Sequence, residues 1–427
     1  MTTRREFLKI ASATAALAAY QRMSGASNWG EILANLSDDP VWGVKPRTAT
    51  VAAAPAVPVA PSSSGLPAWV RNLPLWRWYP IPNTALSSVQ PANIPSLVYQ
   101  SSGPQSKISA WCGATLKRRG SIYLIGAAGG HADYAGNEVD ALQLNTDTPR
   151  WVELKRCSQV SALITESPFY LDNRGAATHT CYYTQFIEAR NRLMIFHNRG
   201  MNAPALPLPP PQWPYAGNKW TSSFDLASNE WDPPNYVARY PGDGDRIAGL
   251  CVKHPGTEDV YVNRYPSNWW RWRQATNTWT QLSANNEAGN YAGAAIDPIR
   301  NRMLIVGSWA GNVPPRVRQL DGTQIGATFG GLGPGPLTLG SLTVGDLPGV
   351  IYDEANDTFL VFINRNPISV RRVRASDWYV DAPAVTGASP AARPNGILNA
   401  VQYVPELRGV VIVNSYSGNA YFMRTSA

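Results

Sequence analysis

The sequence has few charged residues and, beyond its first twenty positions, no long apolar run. Charged side chains make up 15% of the 427 residues, and this composition argues against a helical bundle and against bulk disorder. No later stretch reaches the roughly 18 apolar residues of a membrane-spanning helix, so we expect no membrane partner. Runs rich in lysine and arginine are also missing, and we therefore expect no nucleic acid partner.

Cysteine is scarce as well. Cys112, Cys157, Cys181 and Cys251 are the four present, and their spacing contains no CxxC pair and no dense disulfide pattern. We expect buried thiols that pack as small apolar side chains. A disulfide that involves Cys157 and a thiolate–metal site stay open as alternatives.

Glycine, proline and tryptophan are plentiful instead. The chain has 35 Gly, 36 Pro and 16 Trp, a composition that favours short strands joined by many tight turns. The formal net charge of +8 favours an anionic partner through long-range attraction, although part of it lies in the first 22 residues. An all-β chain of this length can form one domain.

The N-terminal residues have the features of an export signal. Thr3-Arg4-Arg5-Glu6-Phe7-Leu8-Lys9 fits a twin-arginine signal, and Ile10 to Ala19 forms a short apolar region. We therefore predict a signal peptide at 1–26, an Ala/Pro/Ser-rich linker at 27–65 and one folded domain at 66–427. The predicted location is periplasmic or secreted.

The stretch from Gly120 to Trp151 shows the pattern on which the folded domain is built. An apolar strand at 122–125 leads into Gly129-Gly130, a polar loop, a second strand at 139–144 and a turn before Trp151. This order resembles a kelch repeat, which is one four-stranded blade of a β-propeller.

The same order returns along the chain. Apolar second strands are predicted at 122–125, 193–196, 260–262, 303–306, 359–362 and 410–413. Fourth strands are predicted to open at Trp151, Trp231, Trp279 and Trp378. The units are 105–153, 154–235, 236–283, 284–330, 331–384 and 385–427. Six blades are favoured, and seven stays open because the second unit is long. The last unit lacks a fourth strand, which residues 76–84 would supply by closing the ring.

Polar side chains from different blades are expected to meet at one end of the central channel. In a blade, the start of the innermost strand lies at the same end as the loop after the second strand, and loops on a rigid scaffold often bind ligands. Three of the four histidines fall in these places. The candidate side chains from the loops are His131, Asp133, Tyr134, Asn137, His197, Arg199, Arg264, Tyr265, Trp309 and Arg365, and those from inner strands are His179, Tyr182, Tyr183, Arg246, Tyr291 and Asn395.

The segments GGHADYAGNEV (129–139) and THTCYYTQFIEARNRLMIFHNRG (178–200) resemble kelch-type propeller polysaccharide lyases of the ulvan-lyase-like group. The resemblance implies a catalytic site made of His131, Tyr183 and Arg199, with Tyr182 as the alternate tyrosine. It also implies that His179 corresponds to a second histidine. The remaining mouth residues would bind substrate: His197, Tyr134, Asn137, Arg246, Arg264, Tyr265, Trp309 and Arg365.

The chemistry of such a site can be stated from the residue types. Elimination across C4–C5 of a uronate needs a cation or donor to stabilise the developing enolate, and Arg199 with His179 would supply it. A base removes the C5 proton and an acid protonates the departing oxygen. We assign these two steps to Tyr183 and His131 without deciding which is base and which is acid.

The expected function is thus β-elimination on an anionic, uronic-acid-containing polysaccharide by a monomeric enzyme. No cofactor is required, and a structural Ca or Zn ion stays open. One alternative is a copper oxidase of the galactose-oxidase type, for which His131, His179, His197 and Cys181 are candidates. That alternative lacks a C-terminal histidine ligand, because no His follows His254. The other alternative is a non-catalytic sugar-binding propeller or a sugar epimerase.

Overall fold

The computed structural model describes residues 65–90, 103–130, 133–163, 167–198, 220–242, 249–263, 269–283, 291–307, 314–320, 337 and 347–427. All of these residues belong to one compact unit, Val51–Ala427. The predicted signal peptide at 1–26 lies outside the described residues, as does the linker at 27–65 except for Gly65.

The described chain folds into six antiparallel sheets that form a six-bladed β-propeller, so the prediction of six blades is confirmed. Blade 1 has β2 (Thr115–Lys117), β3 (Ile122–Gly126), β4 (Val139–Gln143) and β5 (Arg150–Lys155). Blade 2 has β6 (Thr184–Ile187), β7 (Arg192–Asn198), β8 (Trp220–Asp225) and β9 (Glu230–Trp231). Blade 3 has β10 (Leu250–Lys253), β11 (Val260–Asn263), β12 (Trp269–Arg273) and β13 (Thr278–Ser283).

The remaining blades follow the same order. Blade 4 has β14 (Gly293–Asp297), β15 (Arg302–Val306) and β16 (Arg316–Gln319) among the described residues. Blade 5 has β17 (Gly349–Asp353), β18 (Thr358–Ile363), β19 (Ser369–Arg374) and β20 (Val380–Asp381). Blade 6 has β21 (Val401–Val404), β22 (Gly409–Ile412) and β23 (Tyr421–Arg424), and its outer strand is β1 (Trp78–Pro80).

Helices in the described part are single turns. The α-helices are α1 (Ala68–Arg71) and α2 (Ser106–Ser109). The 3₁₀ turns are Leu86–Val89, Gly103–Gln105, Val160–Ala162, Glu188–Arg190, Leu398–Ala400 and Pro405–Leu407. None of the helices that the structure describes is long and apolar enough to cross a membrane.

The inner strands form a closed ring. Contacts run from β2 to β6, β10, β14, β17 and β21 in turn, and from β21 back to β2. The two ends of the chain close blade 6, because β1 pairs antiparallel with β23 in the register Trp78 with Met423. This confirms the predicted closure, in which β1 covers the β23 edge and completes the fourth strand of blade 6.

A left-handed residue ends the turn between the first two strands of every blade. The six residues have φ angles between 50° and 59° and are Ser121, Asn191, Glu258, Asn301, Asp357 and Arg408. The left-handed conformation allows the chain to turn back tightly between two strands. Among residues other than glycine, Asn and Asp tolerate it best. The recurring turn signals in the sequence therefore mark one repeated hairpin at one end of the channel.

Strand alternation sends side chains to the two neighbouring blades in turn. On β3, Tyr123 and Ile125 pack with blade 6, whereas Leu124 packs against Phe186 and Leu193 of blade 2. Each of the six interfaces between neighbouring blades is filled in this way by a buried cluster. The core of the molecule is therefore the set of blade interfaces, and the loops at the ends of the channel are left for other roles.

The predicted fourth-strand tryptophans belong to this packing. Trp151 lies in β5 and contacts the Tyr123 ring edge-on, with ring centroids 6.1 Å apart. Trp378 differs from its predicted place, because it has φ 64° in the turn before β20 and stacks on Phe359. The Asp377 carboxylate, which accepts from the Tyr379 N–H, closes that turn.

Candidate functional site

The central channel has two ends. The mouth is the end at which the inner strands begin. The turn end is the opposite end, where each inner strand turns back into the second strand of its blade. A cavity of ≈ 130 Å³ inside the channel is lined by the inner strands of all six blades, and its lining extends to Arg118 and Glu354 at the turn end. These two side chains form an ion pair of 2.5 Å between blades 1 and 5.

Tyr182 reaches across the ring at the end where the inner strands begin. Its hydroxyl donates to the Pro348 carbonyl oxygen at 3.0 Å, so the phenol reaches from blade 2 to blade 5 on the opposite side of the ring. The Asn399 amide of blade 6 donates to the Tyr182 carbonyl oxygen at 2.7 Å. Tyr182 is 1% exposed, and it therefore forms part of a floor beneath the mouth.

Bulky residues in the left-handed conformation surround the mouth. Trp111, Cys181, Tyr291 and Leu398 have φ angles between 43° and 61°, and each comes just before the inner strand of its blade. Such angles are rare for large side chains, cost on the order of 1–3 kcal/mol each, and cluster at functional sites. The four residues recur before the inner strands of blades 1, 2, 4 and 6, so they shape the segments that form the mouth.

The Gly129-Gly130 turn brings the loop between β3 and β4 against the segment before β6. Gly130 has φ 71°, and a side chain there would place its Cβ 2.6 Å from the Thr178 Cα. The Gly129 N–H donates to the Thr178 carbonyl oxygen at 3.1 Å. The two glycines are thus required because the backbones of Gly129-Gly130 and Thr178 lie so close together. This contact places Asp133 next to His179.

His179 and Asp133 form the pair on which the candidate site is built. The His179 Nε2 lies 3.1 Å from the Asp133 Oδ2, with the imidazole 7% exposed and the carboxylate 26% exposed. The half-buried Trp111 ring packs against the imidazole, with centroids 5.2 Å apart. A carboxylate fixes the ring orientation and the tautomer of an imidazole, as a proton-transfer group requires. Sequence reasoning placed Asp133 and His179 on one face but missed their pairing and missed Trp111.

The two predicted tyrosines are buried beside this pair. Tyr183 is fully buried, and its hydroxyl oxygen accepts from the Gly249 N–H of blade 3 at 2.7 Å. The Tyr182 hydroxyl is bonded to blade 5, as described above. Both phenols therefore join one blade to another, and proton transfer by either needs access that this conformation does not provide.

Tyr134 and Asn137 support the loop from inside. The Tyr134 hydroxyl donates to the Glu138 Oε1 at 2.6 Å, and the Asn137 amide donates to Ser158 and to the Gly175 carbonyl. Both side chains are fully buried, so the geometry gives them a role in loop structure rather than direct contact with substrate. By contrast, Arg365 lies exposed in the loop after β18.

The other predicted site residues lie outside the described residues. They are His131, Arg199, Arg246, Arg264, Tyr265 and Trp309, and the side chain of His197 in β7 belongs with them. Their roles stay predictions from the sequence.

A buried charge cluster anchors the same loop. The Lys107 amine lies 2.5 Å from the Asp140 carboxylate and 3.0 Å from the Glu138 carboxylate, and all three side chains are at most 2% exposed. Lys107 comes from α2, whereas Glu138 ends the loop and Asp140 is the second residue of β4. The cluster therefore ties the chain before blade 1 to the loop that carries Asp133, and sequence reasoning did not anticipate it.

This cluster predicts a pH-dependent contribution to stability. Burial raises the pKa of Asp140 to about 6, against the opposing effect of Lys107. Between pH values of about 4 and 6 the folded state holds a proton that the unfolded state releases, so this contribution to the free energy of unfolding falls as pH rises. Urea unfolding at several pH values should show this slope in the wild type and its loss in Asp140→Asn. Parallel curves for both proteins would contradict the assignment.

The cysteines agree with the expectation of buried thiols. All four are free, and Cys112, Cys181 and Cys251 are buried. Burial raises the pKa of Cys112 to about 11, so its thiol is neutral. Among the described residues no group of three or more His, Cys, Asp and Glu side chains is placed to hold a metal ion.

His254 lies at the turn end, where its ring accepts from the Gly256 and Thr257 N–H groups.

Comparison with known proteins adds no family to this picture, because the chain matches no protein-family model and no curated protein sequence. The class of protein defined by the fold is a six-bladed β-propeller, and a histidine–carboxylate pair lies at the mouth of its channel.

Proposed function

We propose that the protein is a polysaccharide lyase that cleaves an anionic, uronic-acid-containing polysaccharide by β-elimination at the mouth. The observation that carries this proposal is the His179–Asp133 pair beside the half-buried Trp111 ring. An imidazole held by a carboxylate can move a proton, and an aromatic face can stack on a sugar.

The proposed reaction has a simple balance of protons and bonds. A base takes the proton from C5 of the uronate, the C4–O bond breaks as the C4–C5 double bond forms, and an acid protonates the departing oxygen. Because the Tyr182 and Tyr183 hydroxyls are bonded between blades, the geometry favours His179 as one of these groups. His131, two residues before Asp133 in the chain, is the sequence-based candidate for the other.

Stabilisation of the developing enolate needs positive charge near the uronate carboxylate. The sequence resemblance suggests Arg199 for this role. The net charge of +8 supports attraction of an anionic chain to the protein. Export of the folded protein, as the twin-arginine pattern predicts, would bring it to extracellular polysaccharide.

The test of the proposal is an absorbance assay for the unsaturated product. The full-chain protein is incubated with ulvan, alginate, pectin and glycosaminoglycans, and the ultraviolet absorbance of a 4,5-unsaturated uronide is followed. Growth of this absorbance with one of them is the expected result. Binding of a polysaccharide without the absorbance would indicate a non-catalytic sugar-binding propeller. Sugar oxidation without it would indicate an oxidase.

A further inference from the structure

Arg393 is a buried cation in the segment that leads into the inner strand of blade 6. It is 3% exposed, and its backbone is fixed by Asn364, whose amide exchanges two hydrogen bonds of 2.8 Å with the Arg393 N–H and carbonyl. The guanidinium makes two long hydrogen bonds through Nη1, to the carbonyl oxygens of Gly396 at 3.5 Å and Ile397 at 3.4 Å. Its Nε has no hydrogen-bond partner among the described residues.

No carboxylate of the described residues compensates this charge. Among the described residues, the ionisable groups near Arg393 are Tyr123, Cys112 and Cys181. Burial raises the pKa of each, so all three are neutral at pH 7. Lys107 is equally buried but has two carboxylates within 3.0 Å. A buried cation without a carboxylate partner lowers the stability of a fold, and an anionic ligand can offset that cost.

Arg393 shares two neighbours with the mouth, Cys112 and Cys181. Cys112 and Cys181 come from the two inner-strand starts that carry Trp111 and His179, and the Cys181 N–H donates to the Trp111 carbonyl at 2.8 Å. The Cys112 Sγ lies 3.8 Å from the carbonyl oxygen of Thr178, the residue before His179. Since charges interact more strongly where water is excluded, Arg393 contributes an electrostatic potential that favours anions at this end of the channel.

We propose that Arg393 is the buried countercharge for the carboxylate of a uronic acid bound at the mouth, and that it selects charged over neutral sugars. The inference rests on the proposed function for the substrate class, and it adds a residue that the sequence resemblance did not indicate. In this proposal Trp111 and His179 contact the sugar, and Arg393 acts through its charge. Arg393 is therefore a specificity-determining residue rather than a catalytic one.

Thermal unfolding with simple sugars tests this selectivity without any turnover. The melting temperature of the full chain is measured against increasing glucuronate and galacturonate, and against glucose and galactose as their uncharged counterparts. A ligand that binds only the folded state raises this temperature in a saturable way. We expect the uronates to stabilise the wild type and the neutral sugars to have no such effect.

The variant Arg393→Met is expected to bind the uronates at least about tenfold more weakly, because it removes the countercharge. Arg300→Met is the matched control. Arg300 lies at the turn end in ion pairs with Asp297 and Asp357, so its loss should leave the uronate response unchanged. An unchanged response in Arg393→Met would overturn the inference.

Two further outcomes keep the test decisive. If Arg393→Met does not fold, Arg393→Lys keeps the charge and is expected to keep the preference for uronates. Equal stabilisation of the wild type by charged and neutral sugars would overturn the inference without any variant. If the protein forms the unsaturated product but its preference for uronates does not depend on Arg393, this inference alone is contradicted. If the preference depends on Arg393 but no unsaturated product forms, the proposed function alone is contradicted.

Discussion

Replacement of Lys107 by methionine is expected to lower the free energy of unfolding by about 3–5 kcal/mol. The substitution keeps the length of the side chain but removes its charge, and it leaves the Glu138 and Asp140 carboxylates buried without a cation. Removal of one partner from a buried ionic group costs this much because the remaining charge stays desolvated. The measurement is urea unfolding of both proteins at pH 7, where the carboxylates of the unfolded chain are ionised.

A surface lysine provides the control. Lys155 pairs with Glu230, whose side chain is 59% exposed, so Lys155→Met should change the free energy of unfolding by less than about 1 kcal/mol. Addition of Glu138→Gln and Asp140→Asn to Lys107→Met should recover much of the loss, because the uncompensated charges are then gone. If Lys107→Met unfolds at the same urea concentration as the wild type, the cluster does not have the assigned role.

His179→Gln is expected to reduce the rate of the proposed elimination by about 10²- to 10⁴-fold, the usual contribution of one acid–base group. Glutamine preserves a polar side chain beside Asp133 but cannot take a proton from the substrate or give one to it. The loss should appear in kcat more than in KM, because the group acts in the transition state rather than in substrate binding. The absorbance of the unsaturated product gives both constants.

His254→Gln is the matched control, since it removes a histidine at the turn end that is bonded to Asn301 and to its own turn. It is expected to leave kcat unchanged. Asp133→Asn should give an intermediate loss, because the imidazole remains but its orienting carboxylate does not. A His179→Gln protein with wild-type kcat and an unchanged melting temperature would remove His179 from the mechanism.

The architecture could be predicted because it is repeated. Each blade has an apolar second strand and a turn that ends in a left-handed residue, and these signals are local in sequence. The closing strand β1 could be predicted because the last unit of the sequence has no fourth strand of its own. The position of Trp378 could not, because its turn is set by the Asp377 hydrogen bond rather than by strand alternation.

The candidate site could be predicted only in part. Position in a blade brought Asp133 and His179 to the same end of the channel. Whether a polar side chain there faces outward depends on contacts between blades that are distant in sequence. Tyr182 reaches Pro348 and Tyr183 reaches Gly249, and no spacing rule shows either bond. For the same reason Lys107 and Arg393 passed unnoticed, since a buried cation has no sequence signature apart from its partners.

The pairing of β1 with β23 also sets the order in which the molecule can be completed. Trp78 precedes every blade strand from β2 onward in the chain and Met423 lies in β23, the last of the described strands, so their contact forms only after all the blades between them have been synthesised. Contacts between such distant parts of a chain form slowly. Until β1 pairs, the β23 edge of blade 6 lacks its neighbour, and an unpaired strand edge is a template for pairing with another chain.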